Sequence, residues 1–125
     1  MFLIDTNVFL EILSNQSKKE NCKTFLNKNI NNLNISDFSL HSIGVILFRY
    51  DKEDIFERFA GDVISNVRLL SLPKEFYGKI AELKKNEYLD FDDAYQYSIA
   101  KIYKLKLVTM DRDFEKIKDV DILFL

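Results

Sequence analysis

The chain has 125 residues and a formal net charge of −2, from 18 basic and 20 acidic side chains. This length fits one domain, so we predict a single domain over residues 1–125. Nucleic-acid-binding proteins usually carry a basic surplus, and this chain has none, so any such binding must rest on local basic patches or on bound cations. Three glycines and one proline are too few for the many tight turns of an all-β fold.

Secreted and membrane-spanning classes are also disfavoured. The one cysteine, Cys22, has no partner for an intramolecular disulfide, so nothing indicates an oxidising compartment. The apolar run Met1–Ile4 ends at Asp5 and is too short for a signal peptide. No stretch approaches the roughly 18 apolar residues of a membrane span. We therefore expect a cytoplasmic protein with no membrane partner.

Five short apolar segments are predicted to be β-strands, and helical patterns separate them. In chain order the strands are Met1–Asp5, Leu33–Ser36, Val67–Leu70, Leu105–Thr109 and Val120–Leu125. Helices are predicted over Val8–Ser14, Ser17–Asn29, Asp37–Phe48, Asp51–Ser65, Pro73–Glu87 and Asp90–Lys104, with a helical turn at Asp113–Ile117.

This alternation predicts an α/β fold with three α/β/α layers around a five-stranded parallel sheet. Right-handed crossovers place the C-terminal ends of all strands at one edge of such a sheet. Ligands bind at that edge, where the strand order reverses. The residues that directly follow each strand are therefore the first candidates for a functional site.

Helix-end chemistry predicts several local features. Thr6 or Asn7 can cap the first helix, and Asp37 is interpreted as the cap of the helix that it opens. Pro73 suits the first turn of the predicted helix Pro73–Glu87. Gly44 lies inside an apolar, buried helix, where it costs ~1 kcal/mol relative to Ala. We expect another backbone to approach it closely.

Several aspartates lie where the predicted strands end. Asp5 ends the first strand, Asp111 follows the fourth, and Asp90, Asp92 and Asp93 open the helix that precedes the fourth strand. Oxygen-only clusters suit hard cations such as Mg²⁺ or Mn²⁺. Without a cation, converging carboxylates repel and raise one another's pKa. With a cation, they can hold a water for attack on a phosphodiester.

The same acids also admit a purely structural interpretation. Asp90 is a good N-cap, and Asp92 and Asp93 interact favourably with a helix N-terminus. Asp111 and Asp113 can cap or stabilise the helical turn that follows them. Asp5 resists this interpretation, because an acid directly after three apolar strand residues lies at the mouth of the sheet.

Three segments resemble the acidic motifs of PIN domains, in order and over nearly the whole chain. They are Phe2-Leu-Ile-Asp5-Thr-Asn7, Leu89-Asp-Phe-Asp-Asp93-Ala94 and Val108-Thr109-Met-Asp111-Arg-Asp113-Phe114. Within that family, these motifs resemble in particular those of the toxin halves of VapBC toxin–antitoxin pairs and of their stand-alone relatives.

The resemblance implies a sheet of order 3-2-1-4-5 and a Mg²⁺- or Mn²⁺-dependent ribonuclease site acting on RNA. It also implies a homodimer and a possible antitoxin partner. The metal-binding, catalytic acids that it implies are Asp5, Asp93 and Asp111. Supporting polar groups are implied at Asn7, Thr109 and Asp113.

One motif departs from the family pattern, in which a Ser at the end of strand 2 is followed six residues later by a Glu. Ser36 fits, but the Glu position holds Ser42, a neutral hydroxyl. Asp90, one helical turn before Asp93, could face the same ion and compensate. The neighbouring His41 could touch a substrate phosphate.

Arg112, beside the proposed site, could contact a phosphate through two hydrogen bonds.

Two other α/β classes begin with a strand that ends in Asp, and the chain lacks an acid that each of them needs. A haloacid-dehalogenase-like phosphatase needs a second acid two residues after Asp5, where this chain has Asn7. A response-regulator receiver needs an acid at the end of strand 3, and the segment from Val67 to Pro73 has none. A PIN fold that binds RNA or a protein partner without cleavage is the main alternative, because fold alone does not establish function.

Overall fold

Five short strands run parallel at the centre of the protein, whose computed structural model describes residues 1–125. They are β1 (Phe2–Ile4), β2 (Leu33–Ser36), β3 (Arg68–Leu70), β4 (Lys106–Thr109) and β5 (Ile122–Phe124). All four pairings are parallel, and the sheet order is β3-β2-β1-β4-β5. The predicted parallel sheet and its order are confirmed.

Six α-helices connect or follow these strands. They are α1 (Thr6–Leu13), α2 (Lys19–Lys28), α3 (Asp37–Arg49), α4 (Glu53–Asn66), α5 (Ile80–Glu87) and α6 (Phe91–Ile102). Short 3₁₀ helices lie at Ile30–Asn32, Lys74–Lys79 and Arg112–Lys116. None of the helices is long and apolar enough to cross a membrane.

The sheet separates two apolar cores. Successive side chains of the central strands point to opposite faces of the sheet, so each strand contributes to both cores. Leu3 and Leu107 face the core shared with α5 and α6, whereas Ile4 and Val108 face the core shared with α1 to α4. All four side chains are fully buried, and each contributes about 1.5–3 kcal/mol by leaving water. The protein therefore has the predicted three layers.

The structure corrects two predicted helix caps. Asp5, rather than Thr6 or Asn7, caps α1: its backbone is extended, and its carboxylate accepts a hydrogen bond from the Thr6 N–H. Ser36, rather than Asp37, caps α3, with its hydroxyl oxygen accepting from the Ser39 N–H. Asp5, directly after β1, and Ser36, the last residue of β2, both keep an extended backbone, and the side chain of each accepts from the first turn of the next helix.

Two further predictions need correction. The segment after Pro73 is a 3₁₀ helix over Lys74–Lys79, and the α-helix begins only at Ile80. At Gly44 a side chain approaches, not a backbone: a Cβ added there would lie 3.2 Å from the Phe56 ring. The glycine thus makes room for α4 to pack against α3.

Candidate metal centre

An acidic pocket lies at the edge where β1 and β4 end. It has a volume of about 290 Å³, and Asp5, Thr6, Asn7, Leu10, Phe38, Ser42, Ile46, Asp92, Asp93, Gln96 and Asp111 line it. These residues come from the ends of two strands and from α1, α3 and α6. The topology therefore brings together Asp5, Asp93 and Asp111, as the sequence predicts.

Three carboxylates at the rim of this pocket are close enough to share one ion. Oxygens of Asp93, Asp111 and Asp113 all lie within 4.8 Å of one another. Asp111 accepts a hydrogen bond from the Asp113 N–H at 2.9 Å, which folds the turn after β4 so that both acids face α6. We call these three residues the acidic rim.

No basic side chain neutralises the acidic rim. The two ion pairs of the protein lie elsewhere and join Lys101 to Asp119 and Arg112 to Glu115. Partial burial, followed by repulsion from Asp90 and the other nearby acids, raises the pKa of Asp93 from 3.8 to about 7. Like charges therefore crowd together here with no partner from the protein, which is the situation that a bound cation relieves.

Asp5 forms the floor of the pocket and has a different environment. Its Oδ1 accepts hydrogen bonds from the Thr6 N–H at 2.8 Å and from Gln96 Nε2 at 3.1 Å. Its Oδ2 accepts from Thr109 Oγ1 at 2.7 Å and from Asn7 Nδ2 at 3.3 Å. Four donors thus surround a carboxylate that is only 6% exposed.

The pKa of Asp5 is nevertheless raised above its usual value. Burial is the largest cause, and repulsion from Asp111 adds to it. The hydrogen bonds from Thr109, Gln96 and Thr6 act in the opposite direction, because they stabilise the charged form.

Asn7 and Thr109, predicted as supporting groups, connect this floor to the acidic rim. Thr109 Oγ1 donates to Asp5 and accepts from the Asp111 N–H at 3.0 Å. Asn7 Oδ1 accepts from the Met110 N–H at 3.2 Å. The two side chains thereby hold the turn after β4 against the start of α1, which sets the position of Asp111.

Gln96 and Ser39 belong to the same network, although the sequence reasoning missed both. Gln96 Nε2 donates to Ser39 Oγ at 2.7 Å as well as to Asp5. Ser39 Oγ in turn contacts Thr6 Oγ1 and Ser36 Oγ. The signal available in the sequence was a polar residue one helical turn after Asp93, on a helix that is otherwise mostly apolar.

Ser42, the point of departure from the family pattern, lines the acidic pocket. Asp90 does not line it: its carboxylate caps α6 by accepting from the Asp93 N–H at 3.0 Å, and it is absent from the acidic rim. Asp92, interpreted as a helix-end acid, does line the pocket, and burial followed by repulsion from Asp90 raises its pKa.

The two residues predicted to contact substrate lie outside the pocket. Arg112 is paired with Glu115 at 3.1 Å and lies over the Phe124 ring at 4.5 Å from its centroid. His41 is exposed and lines a separate shallow depression with Tyr77 and Phe91. Their assignment as substrate-binding residues stays a prediction.

The donor set of the pocket fits a hard divalent cation. Every charged group at its floor and rim is a carboxylate, and Gln96, Ser42 and Thr109 are neutral side chains with oxygen atoms. Cys22 and His41, the only cysteine and histidine of the chain, lie outside it. Mg²⁺ and Mn²⁺ prefer such oxygen sites, whereas Zn²⁺ and Cu²⁺ favour nitrogen and sulfur ligands.

A model of the PIN domain family matches residues 2–120 of the chain. A search of curated protein sequences finds no match.

Solved structures share the fold at low sequence identity. A toxin–antitoxin complex from Klebsiella pneumoniae contains a chain with a TM-score of 0.79 and 21% identity, covering 96% of this chain and 95% of that one. VapBC2 from Rickettsia felis, bound to a DNA fragment from its promoter, matches with a TM-score of 0.77 and 17% identity, and the match covers 99% of this chain and 98% of that one. FitAcB from Neisseria gonorrhoeae matches with a TM-score of 0.76 and 22% identity, and the match covers 100% of this chain and 97% of that one.

Proposed function

Because the chain belongs to the PIN domain family, we propose that it is a divalent-metal-dependent endoribonuclease formed by one domain over residues 1–125. The observation that carries this proposal is the acidic rim of Asp93, Asp111 and Asp113, three unpaired carboxylates within chelating distance of one another. We further propose that the protein works in the cytoplasm as a homodimer.

In this proposal Asp5, Asp93 and Asp111 are the metal-binding acids, and Asp113 supplies a further oxygen. A bound Mg²⁺ or Mn²⁺ would activate a water for attack on the RNA phosphodiester and stabilise the charge that develops on the phosphate. Asp93 on α6 and Asp111 in the turn after β4 would hold the cation from two sides of the pocket. Asp5 attracts it from the floor and can ligate it only by exchanging one of its four hydrogen bonds.

The direct test is cleavage of labelled single-stranded RNA by the purified protein with Mn²⁺, with Mg²⁺ and with EDTA. We expect internal cuts with either cation and none with EDTA. Asp5→Asn is the control for contaminating nucleases, since the charge that draws the cation is then missing. Cleavage that survives EDTA or the substitution would contradict the proposal.

The alternative function, a protein that binds RNA without cutting it, is favoured by one observation. The pocket wall carries the hydroxyl of Ser42 where the family pattern has a carboxylate, so one negative charge that would help to hold the cation is missing. RNA that is bound but stays intact with both cations at every concentration tested would support this alternative.

A toxin–antitoxin role is favoured by a second cavity, an apolar groove of about 460 Å³ between α1, α2 and α4. Ten of its 15 lining residues are hydrophobic, and Lys23, Arg58 and Asp62 lie among them. A groove of this kind suits an amphipathic helix with apolar anchors. We propose that a small antitoxin encoded next to the gene supplies this helix.

Co-expression with the neighbouring gene product tests this role. Ile30 lines the groove, whereas Ile64 is a more exposed isoleucine outside it. Ile30→Glu should abolish co-purification of the partner, and the matched Ile64→Glu should leave it unchanged. Equal loss in both variants would argue against the groove.

A further inference from the structure

The side-chain amide of Gln96 has one satisfied end and one unsatisfied end. The residue is 1% exposed, and Nε2 donates to both Asp5 and Ser39. Its Oε1 is buried and has no hydrogen-bond partner. A buried acceptor without a donor is disfavoured in a folded protein unless something else pairs with it.

The orientation of this amide is determined by its neighbours. Nε2 lies 3.1 Å from a carboxylate oxygen of Asp5 and 2.7 Å from the Ser39 hydroxyl. Exchange of the two amide ends would place Oε1 against the Asp5 carboxylate, where two acceptors repel. The carbonyl end is therefore the one left over, in a residue that lines the acidic pocket with Ser42 and Asp93.

We propose that Gln96 Oε1 is a neutral oxygen of the metal centre, either as a direct ligand or as the acceptor for a water that the cation holds. Glutamine carbonyl oxygens are accepted ligands of hard cations, and Mg²⁺ retains several of its waters in proteins. This inference rests on the proposed function. It assigns to Gln96 part of the role that a carboxylate at position 42 would otherwise have.

The charges in the pocket make a neutral donor suitable. Asp5, Asp93, Asp111 and Asp113 already supply more negative charge than one divalent cation neutralises. An amide oxygen adds a ligand without adding repulsion. The donation from Nε2 to Asp5 holds the amide next to a metal-binding acid, and the carbonyl oxygen of that amide is buried.

The chain has two glutamines, Gln16 and Gln96, which permits a direct measurement on the wild-type protein. Protein labelled with ¹³C at the glutamine carboxamide carbon gives two signals, and Gln16 is an exposed internal control. Titration with Mg²⁺ should move the Gln96 signal to saturation, with the same Kd that calorimetry gives, and should leave the Gln16 signal in place.

Two variants separate a ligand from a residue that only positions Asp5. Gln96→Met removes both the oxygen and the donor, whereas Gln96→Glu retains an oxygen and removes the donor. A ligand role predicts that Gln96→Met weakens Mn²⁺ binding about tenfold while Gln96→Glu preserves or tightens it. Ser39→Ala, which removes the other acceptor of Nε2, should change the affinity less than about twofold.

The outcomes are distinguishable. If the wild-type protein binds the cation but the Gln96 signal does not move, this inference is overturned and the proposed function stands. The same holds if Gln96→Met binds the cation with the same affinity as the wild-type protein. Equal weakening in Gln96→Met and Gln96→Glu overturns it too, because the donor would then be the active group. A wild-type protein that binds neither Mg²⁺ nor Mn²⁺ overturns the proposed function and this inference together.

Discussion

The floor and the rim of the acidic pocket hold the same kind of side chain in opposite circumstances. Asp5, at the floor, accepts four hydrogen bonds, whereas the carboxylates of Asp93 and Asp113, at the rim, accept none from the protein. Burial raises the pKa of both Asp5 and Asp93, but only Asp93 is left without compensating donors. The same residue type is therefore held by hydrogen bonds at one position and left without them at the other.

This contrast indicates different roles for the carboxylates of the floor and of the rim. A carboxylate surrounded by fixed donors is preorganised and holds its position whether or not a cation is present. Carboxylates without donors keep their lone pairs free for a ligand, at the cost of mutual repulsion. We therefore expect a substitution at the floor to lower the stability of the apo protein as well as cleavage, and substitutions at the rim to lower metal binding and cleavage without loss of apo stability.

The largest effect is expected from loss of a rim acid. Asp93→Asn and Asp111→Asn should each lower Mn²⁺-dependent RNA cleavage by about 100-fold or more, since each removes a charged oxygen that fixes the cation. Initial rates on labelled RNA provide the measurement. Asp119→Asn is the matched control, because Asp119 lies outside the pocket and pairs with Lys101; it should retain full activity. Rim variants as active as this control would break the comparison.

Asp5→Asn should destabilise the apo protein by about 2 kcal/mol. The substitution turns an acceptor of four hydrogen bonds into a group with a single oxygen, so at least one buried donor loses its partner. Chemical denaturation in EDTA measures the free energy of unfolding. Asp93→Asn should leave that quantity unchanged or increase it, and a loss of the same size in both variants would remove the distinction between floor and rim.

Ser42→Glu should sharpen the contrast by adding a charge on a longer arm to the pocket wall. With a cation present, the new carboxylate should tighten Mn²⁺ binding about tenfold, equivalent to roughly 1.4 kcal/mol. In the apo protein it should lower stability slightly through repulsion. Calorimetric titration of wild type and variant gives both affinities. Unchanged affinity and cleavage would mean that position 42 does not reach the ion.

The smallest expected effect is a pH dependence that originates at the rim. In the folded protein the pKa of Asp93 is about 7, against 3.8 in the unfolded chain, so between these values the native state holds a proton that the unfolded state has released. The free energy of unfolding should therefore fall as pH rises through this window, by about 1 kcal/mol after solvent screening. Denaturation in EDTA at pH 5 and pH 8 measures this slope.

The Asp93→Asn variant is the control for that slope. It lacks the titrating group, so its unfolding free energy should change less between the two pH values. A slope that is identical in wild type and variant would assign the pH dependence to other acids, such as Asp5 or Asp92, whose pKa values are also raised.

Much of this architecture was predictable from local patterns. Short apolar segments between helical patterns marked the strands, and a parallel sheet places every strand's C-terminal end at one edge. Asp5 and Asp111 follow directly from that rule, and Asp93 follows from its place at the start of the helix before β4. The sheet order and the family came from three motifs in register, and both are confirmed.

The partners of each acid depended on packing that no local pattern encodes. Thr109 and Gln96 donate to Asp5 across 104 and 91 positions of the chain, so these contacts depend on the packing of β4 and α6 against the end of β1. Asp113 joins the rim because the turn after β4 folds back, whereas Asp90 is engaged as a helix cap. A sequence specifies which groups reach the edge of a sheet; distances of a few ångströms between them arise from side-chain packing across the whole core.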